Sequence, residues 1–271
     1  YRVVNNHEKV VEVCQQALHY FESNSNVRSS SSIAVFCIEI IISCISLKNF
    51  DLGEKIYRKS VEFTQVGSIN WFLTLDGYVL LCFHTKRYED VYQILHLATS
   101  NKKYKLLPVQ YQEIWKVYDA YINFLIEAEQ LTIDKRENIK NFRVGKFLNE
   151  VPQYSKDKLG INISILIIHI LFLLYRKKRD AIVERVDALT QYSYRYLIKD
   201  ETYRSNCFIK MLAKMVKASF HKNATKRTTK KLYERLASTP LATKGQSQHV
   251  EIIPYEDLWE LVLQKLVNRA M

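Results

Sequence analysis

The chain has 271 residues, 48% of them hydrophobic, which is enough to bury a continuous core as one large domain or two small ones and excludes an intrinsically disordered chain. Only six glycines and four prolines occur, and so few turn-forming residues favour long helices. The formal net charge of +12 is concentrated in residues 131–250, which carry 25 lysines and arginines against 10 acidic residues, whereas residues 1–130 carry 13 against 14.

The first predicted element is an amphipathic helix over residues 3–21, where apolar side chains recur at spacings of three and four. A serine-rich tract, 23–32, interrupts this pattern, and a second helix is expected to begin near Ser32. Because the helical pattern is already under way at Tyr1, we expect a longer parent protein, and no signal peptide is recognisable.

Two consecutive segments, 36–64 and 74–100, share one pattern of helix, short turn and second helix. An offset of 38 residues places Cys44 on Cys82, Lys48 on Lys86 and Phe50 on Tyr88. A repeated helical hairpin of this length is typical of solenoid proteins, in which neighbouring hairpins stack on one another.

The rest of the chain has the same organisation with less regularity. Apolar spacing predicts a helix over 109–131, a helix and a loop marked by proline and glycine within 141–160, and helices over 161–175, 181–197, 202–220, 231–238 and 254–267, with a polar loop at 221–230. We therefore predict about eleven helices and no sheet. They are expected to form one continuous domain, with a near-neutral half, 1–130, and a strongly basic half, 131–271.

The apolar run at 161–175 directly precedes four cations, and it is either a membrane anchor or a buried helix. Crossing a bilayer takes about 20 apolar residues. This run of fifteen is shorter, and it contains Asn162, Ser164 and His169. We therefore predict a buried first helix of a hairpin whose turn is RKKRD, and we expect no membrane insertion.

The hairpins have an aromatic residue at each turn, Phe50 or Tyr88, and small residues, Gly53 and Ala98, at the expected helix crossings. In these features residues 30–100 and 160–240 resemble a degenerate tetratricopeptide-type repeat. Segments 142–174 and 251–263 also resemble a family of uncharacterised proteins from Bacteroidetes bacteria. The resemblance implies a right-handed α-solenoid of antiparallel hairpins in a cytoplasmic bacterial protein, and it assigns no catalytic residue.

No segment has the spacing of a catalytic, cofactor-binding or metal-binding motif. The seven histidines form no H-x-x-x-H or H-E-x-x-H pair, and no glycine-rich phosphate loop occurs. The five cysteines are odd in number, include no C-x-x-C pair and lie in apolar helical patterns, which predicts reduced packing residues. We predict no cofactor and no enzymatic activity. An enzyme whose site forms only in the folded chain is a third alternative.

The basic half supplies the candidate site. In segment 202–220, Lys210, Lys214 and Lys217 follow one helical face opposite an apolar face, and the predicted loop after it adds cations without an acidic residue. With the RKKRD turn, the candidate residues for an anionic partner are Arg176, Lys177, Lys178, Arg179, Lys210, Lys214, Lys217, Lys222, Lys226, Arg227, Lys230 and Lys231. The alternative is a solvated surface without a ligand.

Lysines outnumber arginines among these cations, which favours an acidic protein segment, because arginine is the better bidentate ligand of phosphates and bases. Interleaved tyrosines at positions 192, 194, 196 and 203 instead favour RNA or single-stranded DNA, whose bases could stack on the rings. We predict a non-enzymatic module that binds a peptide or helix of a protein partner in a concave groove, with nucleic-acid binding as the alternative. The acidic C-terminal helix is expected to pack on the last hairpin, or else to dock on another subunit.

Overall fold

A computed structural model of the chain describes residues 6–24, 26, 29–132, 142–150, 161–197, 202–241 and 251–267. The predicted loop at 151–160 lies outside the described residues, as do residues 3–5 of the first predicted helix. The described residues contain no strand, so the all-α class is confirmed.

The described residues form twelve α-helices where about eleven were predicted for the chain, and a 3₁₀ helix, Lys102–Leu106, lies between the fifth and the sixth. They are α1 (His7–Ser23), α2 (Ser30–Leu47), α3 (Phe50–Val61), α4 (Ile69–His84), α5 (Tyr88–Ser100), α6 (Val109–Glu127), α7 (Val144–Glu150), α8 (Ile161–Tyr175), α9 (Arg179–Tyr196), α10 (Tyr203–Lys217), α11 (Lys222–Ser238) and α12 (Tyr255–Lys265). The chain divides into two compact units, residues 1–115 with 241–252 and residues 116–240 with 253–271. The division into a neutral and a basic half at residue 130 stays a prediction.

In the first unit, α2 and α4 are the central helices. α2 packs against α1, α3 and α4, and α4 also packs against α3 and α5. Thirteen of the sixteen residues of α4 are buried, because this helix is apolar on almost every side. The first helices of the two aligned hairpins therefore lie side by side, each with its own second helix.

Glycines allow the close helix crossings in this unit. A methyl group at Gly53 of α3 would collide with the side chain of Leu81 and would lie 3.3 Å from Cβ of Cys44. At Gly77 of α4 the same group would lie 3.4 Å from Cγ2 of Ile41, which is an ordinary contact distance. The prediction that Gly53 is the small residue at a close helix crossing is thus confirmed.

The turns of three hairpins, α2–α3, α4–α5 and α8–α9, have the same backbone geometry. Each first helix is followed by a lysine in the left-handed conformation, with φ of 55° at Lys48, 59° at Lys86 and 58° at Lys177. In each turn the next residue donates its N–H to the carbonyl five residues back at 2.9 Å, as in a Schellman motif. The aligned turns at an offset of 38 residues, and the RKKRD turn after the apolar run, are therefore confirmed.

The apolar run that resembled a membrane anchor forms α8, in which ten of fifteen residues are buried. This burial agrees with the prediction of a packed helix. Among the described residues, only α2 is long and apolar enough, by length and composition alone, to cross a bilayer. Half of the residues of α2 are buried, as is common for a core helix.

A polar cluster joins the first hairpin to the second. The Glu54 carboxylate of α3 accepts hydrogen bonds from the Tyr78 hydroxyl at 3.0 Å, from Nε of Arg58 at 3.1 Å and from Nη2 of Arg87 at 2.8 Å. The Tyr78 ring stacks on Tyr57, with 3.5 Å between the centroids. Burial, the largest influence, raises the pKa of Glu54, but the hydrogen bonds from both arginines outweigh it, so the pKa lies below its ordinary value of 4.5.

In the second unit, α8 to α12 are consecutive neighbours, and the last of them returns to the first. α12 packs against α11, α10 and α8, and it buries Leu258, Trp259, Leu261 and Val262. The Tyr175 hydroxyl of α8 donates a hydrogen bond to the carbonyl of Leu261 at 3.2 Å. The predicted packing of the acidic C-terminal helix on the last hairpin is thus confirmed.

The polar loop predicted at 221–230 is wrong, because residues 222–230 belong to α11 and His221 is its N-cap. The inner face of the helix is formed by threonines: Thr225 and Thr229 are buried, and the Thr229 hydroxyl donates to the Thr225 carbonyl at 2.7 Å. A hydroxyl bonded in this way is satisfied within the helix and can be buried. The apolar pattern that marks the other helices is therefore weak here.

Candidate basic interface

The exposed side of α10 carries three lysines. Lys210, Lys214 and Lys217 are exposed, and their spacing places them within a stripe about 60° wide around the helix. The opposite side is fully buried at Phe208, Met211, Leu212 and Met215. The cationic ridge and the apolar face are therefore where the sequence predicted them.

α11 continues the positive surface as a helix rather than as a loop. Lys226, Arg227, Lys230 and Lys231 are exposed, and Lys222 is half-buried. Residues 203–238 contain ten lysines and arginines and one acidic residue, Glu234. We define the basic interface as seven of the exposed cations of this hairpin: Lys210, Lys214, Lys217, Lys226, Arg227, Lys230 and Lys231.

Few of these charges are neutralised within the described part of the chain. Lys230 lies 3.9 Å from Glu234, one turn away on the exposed face, and such a pair contributes little. The other six cations of the basic interface form no ion pair with any described residue. They are therefore available to an anionic ligand.

Of the four cations in the α8–α9 turn, the two arginines contact other side chains of the fold and the two lysines are exposed. Arg176 donates to both carboxylate oxygens of Glu127, from Nε to Oε1 at 3.1 Å and from Nη2 to Oε2 at 2.8 Å, and its guanidinium lies 5.0 Å from the centroid of the Phe172 ring. The hydrogen bonds to Glu127 raise the pKa of Arg176. Arg179 lies over the ring of Phe220 at 5.4 Å, whereas the neighbouring lysines of the turn are exposed.

A buried arginine on α10 holds the two helices that follow it. Nη1 of Arg204 donates to the carbonyls of Leu236 at 2.6 Å and Thr239 at 2.8 Å, at the end of α11. Nη2 donates to Oε2 of Glu256 at 2.6 Å, in the first turn of α12. The cation thus sits where the dipole of α11 is negative, and its partner sits where the dipole of α12 is positive. Sequence analysis did not single out Arg204, because its partners are 32 to 52 residues away.

Acidic residues of α12 lie near α11 of the same hairpin, and Glu256 forms the ion pair with Arg204 of α10. Burial, and then the negative charges of Glu260, Glu256 and Asp257, raise the pKa of Tyr233 on α11. Three acidic groups of α12 are therefore close enough to act on one side chain of α11. Hairpin α10–α11 thus already binds one acidic helix of its own chain.

The four tyrosines proposed to stack on bases have different environments. Tyr203 is 38% exposed and lies seven residues before Lys210, on the same stripe of α10. Tyr194 on α9 is 69% exposed, and Tyr192 is half-buried. The side chain of Tyr196 lies outside the described residues. Two tyrosines are therefore accessible to a ligand.

The cysteines and His84 have structural environments. All five cysteines are free and buried, and burial raises the pKa of Cys44 and Cys82 to about 12, so both thiols are protonated at neutral pH. Nε2 of His84 lies 2.6 Å from the carbonyl of Glu251. His249 lies outside the described residues, which contain no cluster of three histidine, cysteine or acidic side chains that could bind a metal ion.

Comparison of the chain with models of protein families, with curated proteins and with solved structures finds no match. The tetratricopeptide-like and Bacteroidetes resemblances therefore stay predictions.

Proposed function

We propose that this protein is a non-enzymatic interaction module whose basic interface binds an acidic segment of a partner protein. The observation that carries the proposal is the ridge of exposed cations on α10 and α11, six of which have no ion-pair partner among the described residues. Such a surface attracts an acidic chain over distances comparable to the Debye length.

The composition of the ridge favours a protein partner. Six of the seven cations of the basic interface are lysines, and the seventh is Arg227. Lysine presents a mobile point charge, which suits the irregular carboxylates of a peptide, whereas planar phosphate or base recognition favours arginine. The contact between α12 and the inner side of the hairpin is an intramolecular example of an acidic helix on these helices.

The proposal includes the fold predicted for the whole chain. Three hairpins with one turn geometry support a tetratricopeptide-like solenoid, as does the side-by-side packing of α2 and α4 in the first unit. A concave groove of such a solenoid would hold the partner's peptide or helix. Five free, buried cysteines support a cytoplasmic location.

Nucleic-acid binding is the second candidate, and the position of Tyr203 favours it. An exposed tyrosine in line with three lysines could stack on an unpaired base while the lysines contact successive phosphates. Binding of this kind weakens steeply with salt, because each contacted phosphate releases a counterion.

Fluorescence anisotropy with two labelled probes separates these functions: a peptide rich in glutamate and a single-stranded RNA of equal charge. We expect the peptide to bind more tightly than the RNA. Lys214→Glu is expected to weaken binding of the peptide several-fold. The matched control is Lys55→Glu on α3, which makes the same change of net charge at another exposed lysine. Tighter binding of the RNA, with loss on Tyr203→Ala, would establish the second candidate instead. Absence of binding to both probes at low salt would exclude both functions.

A further inference from the structure

A second surface lies in the first unit, where the start of α4 meets the 3₁₀ helix and the start of α6. Gly67, just before α4, is so close to the 3₁₀ segment that a methyl group there would lie 3.0 Å from Cδ of Lys103. The rings of Phe72 and Tyr104 lie 6.4 Å apart. One pocket is lined by residues of α4 and α6, among them Ile69, Leu73 and Tyr111.

Exposed apolar side chains are concentrated around this pocket. Val66 is 63% exposed, Ile69 55%, Leu106 79% and Val109 68%. These values are among the highest of any large apolar side chain in the described residues. Ile69 lines the pocket, and Leu106 and Val109 flank Leu107, which also lines it. Isolated exposed apolar residues are ordinary, but a cluster at a pocket is typical of a binding surface.

The charges beside the pocket restrict what it can bind. Lys102, Lys103 and Lys105 of the 3₁₀ helix are exposed, and none of them forms an ion pair with a described residue. Residues 101–112 contain no acidic side chain. Inside the pocket the one acidic lining residue is Asp76, which is only 5% exposed. Acidic groups of an occupant that lie outside the pocket would face the three lysines, which attract them.

We propose that this pocket, with its lysine rim, binds a short segment of a protein partner that carries one bulky apolar side chain flanked by acidic residues. The apolar side chain packs over the mouth of the pocket, on Ile69 and the exposed apolar side chains around it, and the flanking carboxylates contact the lysines. This site and the basic interface share no residue. Unlike the basic interface, this site requires an apolar side chain in its ligand. Burial of such an anchor contributes to affinity mainly by removing apolar surface from water.

The probes that test this site are synthetic peptides, acetylated and amidated, of the form Asp-Asp-X-Glu-Glu, in which X is phenylalanine, leucine or alanine. Methyl NMR of the full chain follows the signals of Ile69 and Ile114, which both line the pocket. We expect the phenylalanine and leucine peptides to shift these signals and to bind at least about tenfold more tightly than the alanine peptide. A phenylalanine peptide with lysine flanks is expected to bind weakly.

Two variants with matched controls localise the binding. Ile69→Glu is expected to weaken binding of the phenylalanine peptide at least about tenfold. Because Ile69 is largely exposed, this change should not unfold the chain, and circular dichroism checks the fold. Lys103→Glu is expected to weaken binding of the phenylalanine peptide several-fold, because it removes one lysine of the rim. The controls are Val13→Glu, at an exposed apolar residue of α1, and Lys55→Glu, at an exposed lysine of α3; neither should change the affinity.

Three results would overturn the inference: no shift of the two isoleucine signals at about 1 mM phenylalanine peptide, equal affinity for the alanine peptide, or unchanged affinity in both pocket variants. None of these results bears on the basic interface, because Lys214→Glu tests that interface separately.

Discussion

Replacement of Arg204 by methionine is expected to lower the free energy of unfolding by about 3–5 kcal/mol. The side chain is 8% exposed, and its three hydrogen bonds of 2.6 to 2.8 Å join α10 to the end of α11 and the start of α12. Methionine fills similar space but leaves the Glu256 carboxylate and two carbonyls without this donor. Because the Glu256 side chain is 22% exposed, water can solvate part of the lost pair, which places the expected loss at the lower end of that range.

The assay is urea unfolding, followed by circular dichroism and by tryptophan fluorescence. Trp259 of α12 contacts Phe208 of α10, with 6.2 Å between the rings, and therefore responds to separation of these helices. Arg227→Met is the matched control, since Arg227 is an exposed arginine on α11, and its effect should stay within about 0.5 kcal/mol. A double-mutant cycle with Glu256→Gln is expected to show a coupling energy of about 1–3 kcal/mol. If Arg204→Met and Arg227→Met were equally stable, the buried arginine would not hold these helices together.

The remaining predictions concern turns, crossings and pH. Lys177→Gly is expected to raise the free energy of unfolding by about 0.5–1 kcal/mol, because glycine adopts the left-handed conformation without strain, and denaturant unfolding measures the change. Gly53→Ala is expected to be less stable than Gly77→Ala by about 1–3 kcal/mol, since both gain helix propensity but only the former collides with Leu81; equal stabilities would contradict the close crossing. Glu54→Gln is expected to destabilise the chain at neutral pH. Because the folded pKa of Glu54 lies below 4.5, its contribution is present above pH 4.5 and is lost as the pH falls below that value, so the difference between wild type and variant should shrink there in unfolding experiments at several pH values.

Much of the fold could be predicted because its signals are local. Apolar spacing of three and four residues defines the face that a helix buries, and it identified α8 as a packed helix and the lysine stripe of α10 as an exposed one. The turn at Lys48 and the turn at Lys86 could be aligned because a hairpin turn depends on the few residues within it. α11 was missed over its first half because its buried positions there, Thr225 and Thr229, are threonines, which leave no apolar pattern; the Thr229 hydroxyl bonds within the helix.

The sequence by itself determined which segments are helical, which faces are buried and where positive charge accumulates, because these depend on neighbours within one or two turns. Only the tertiary structure decided which charges stay accessible. Arg176 is bound by Glu127, 49 residues away, and Arg204 by Glu256, 52 residues away, whereas Lys214 faces solvent, although all three are cations of one basic region. The pocket beside Ile69 likewise needs α4 and α6 to meet, and no local pattern encodes that approach. Residues so far apart in the sequence come into contact only through the packing of whole helices. Their distances are therefore set only when the chain has folded.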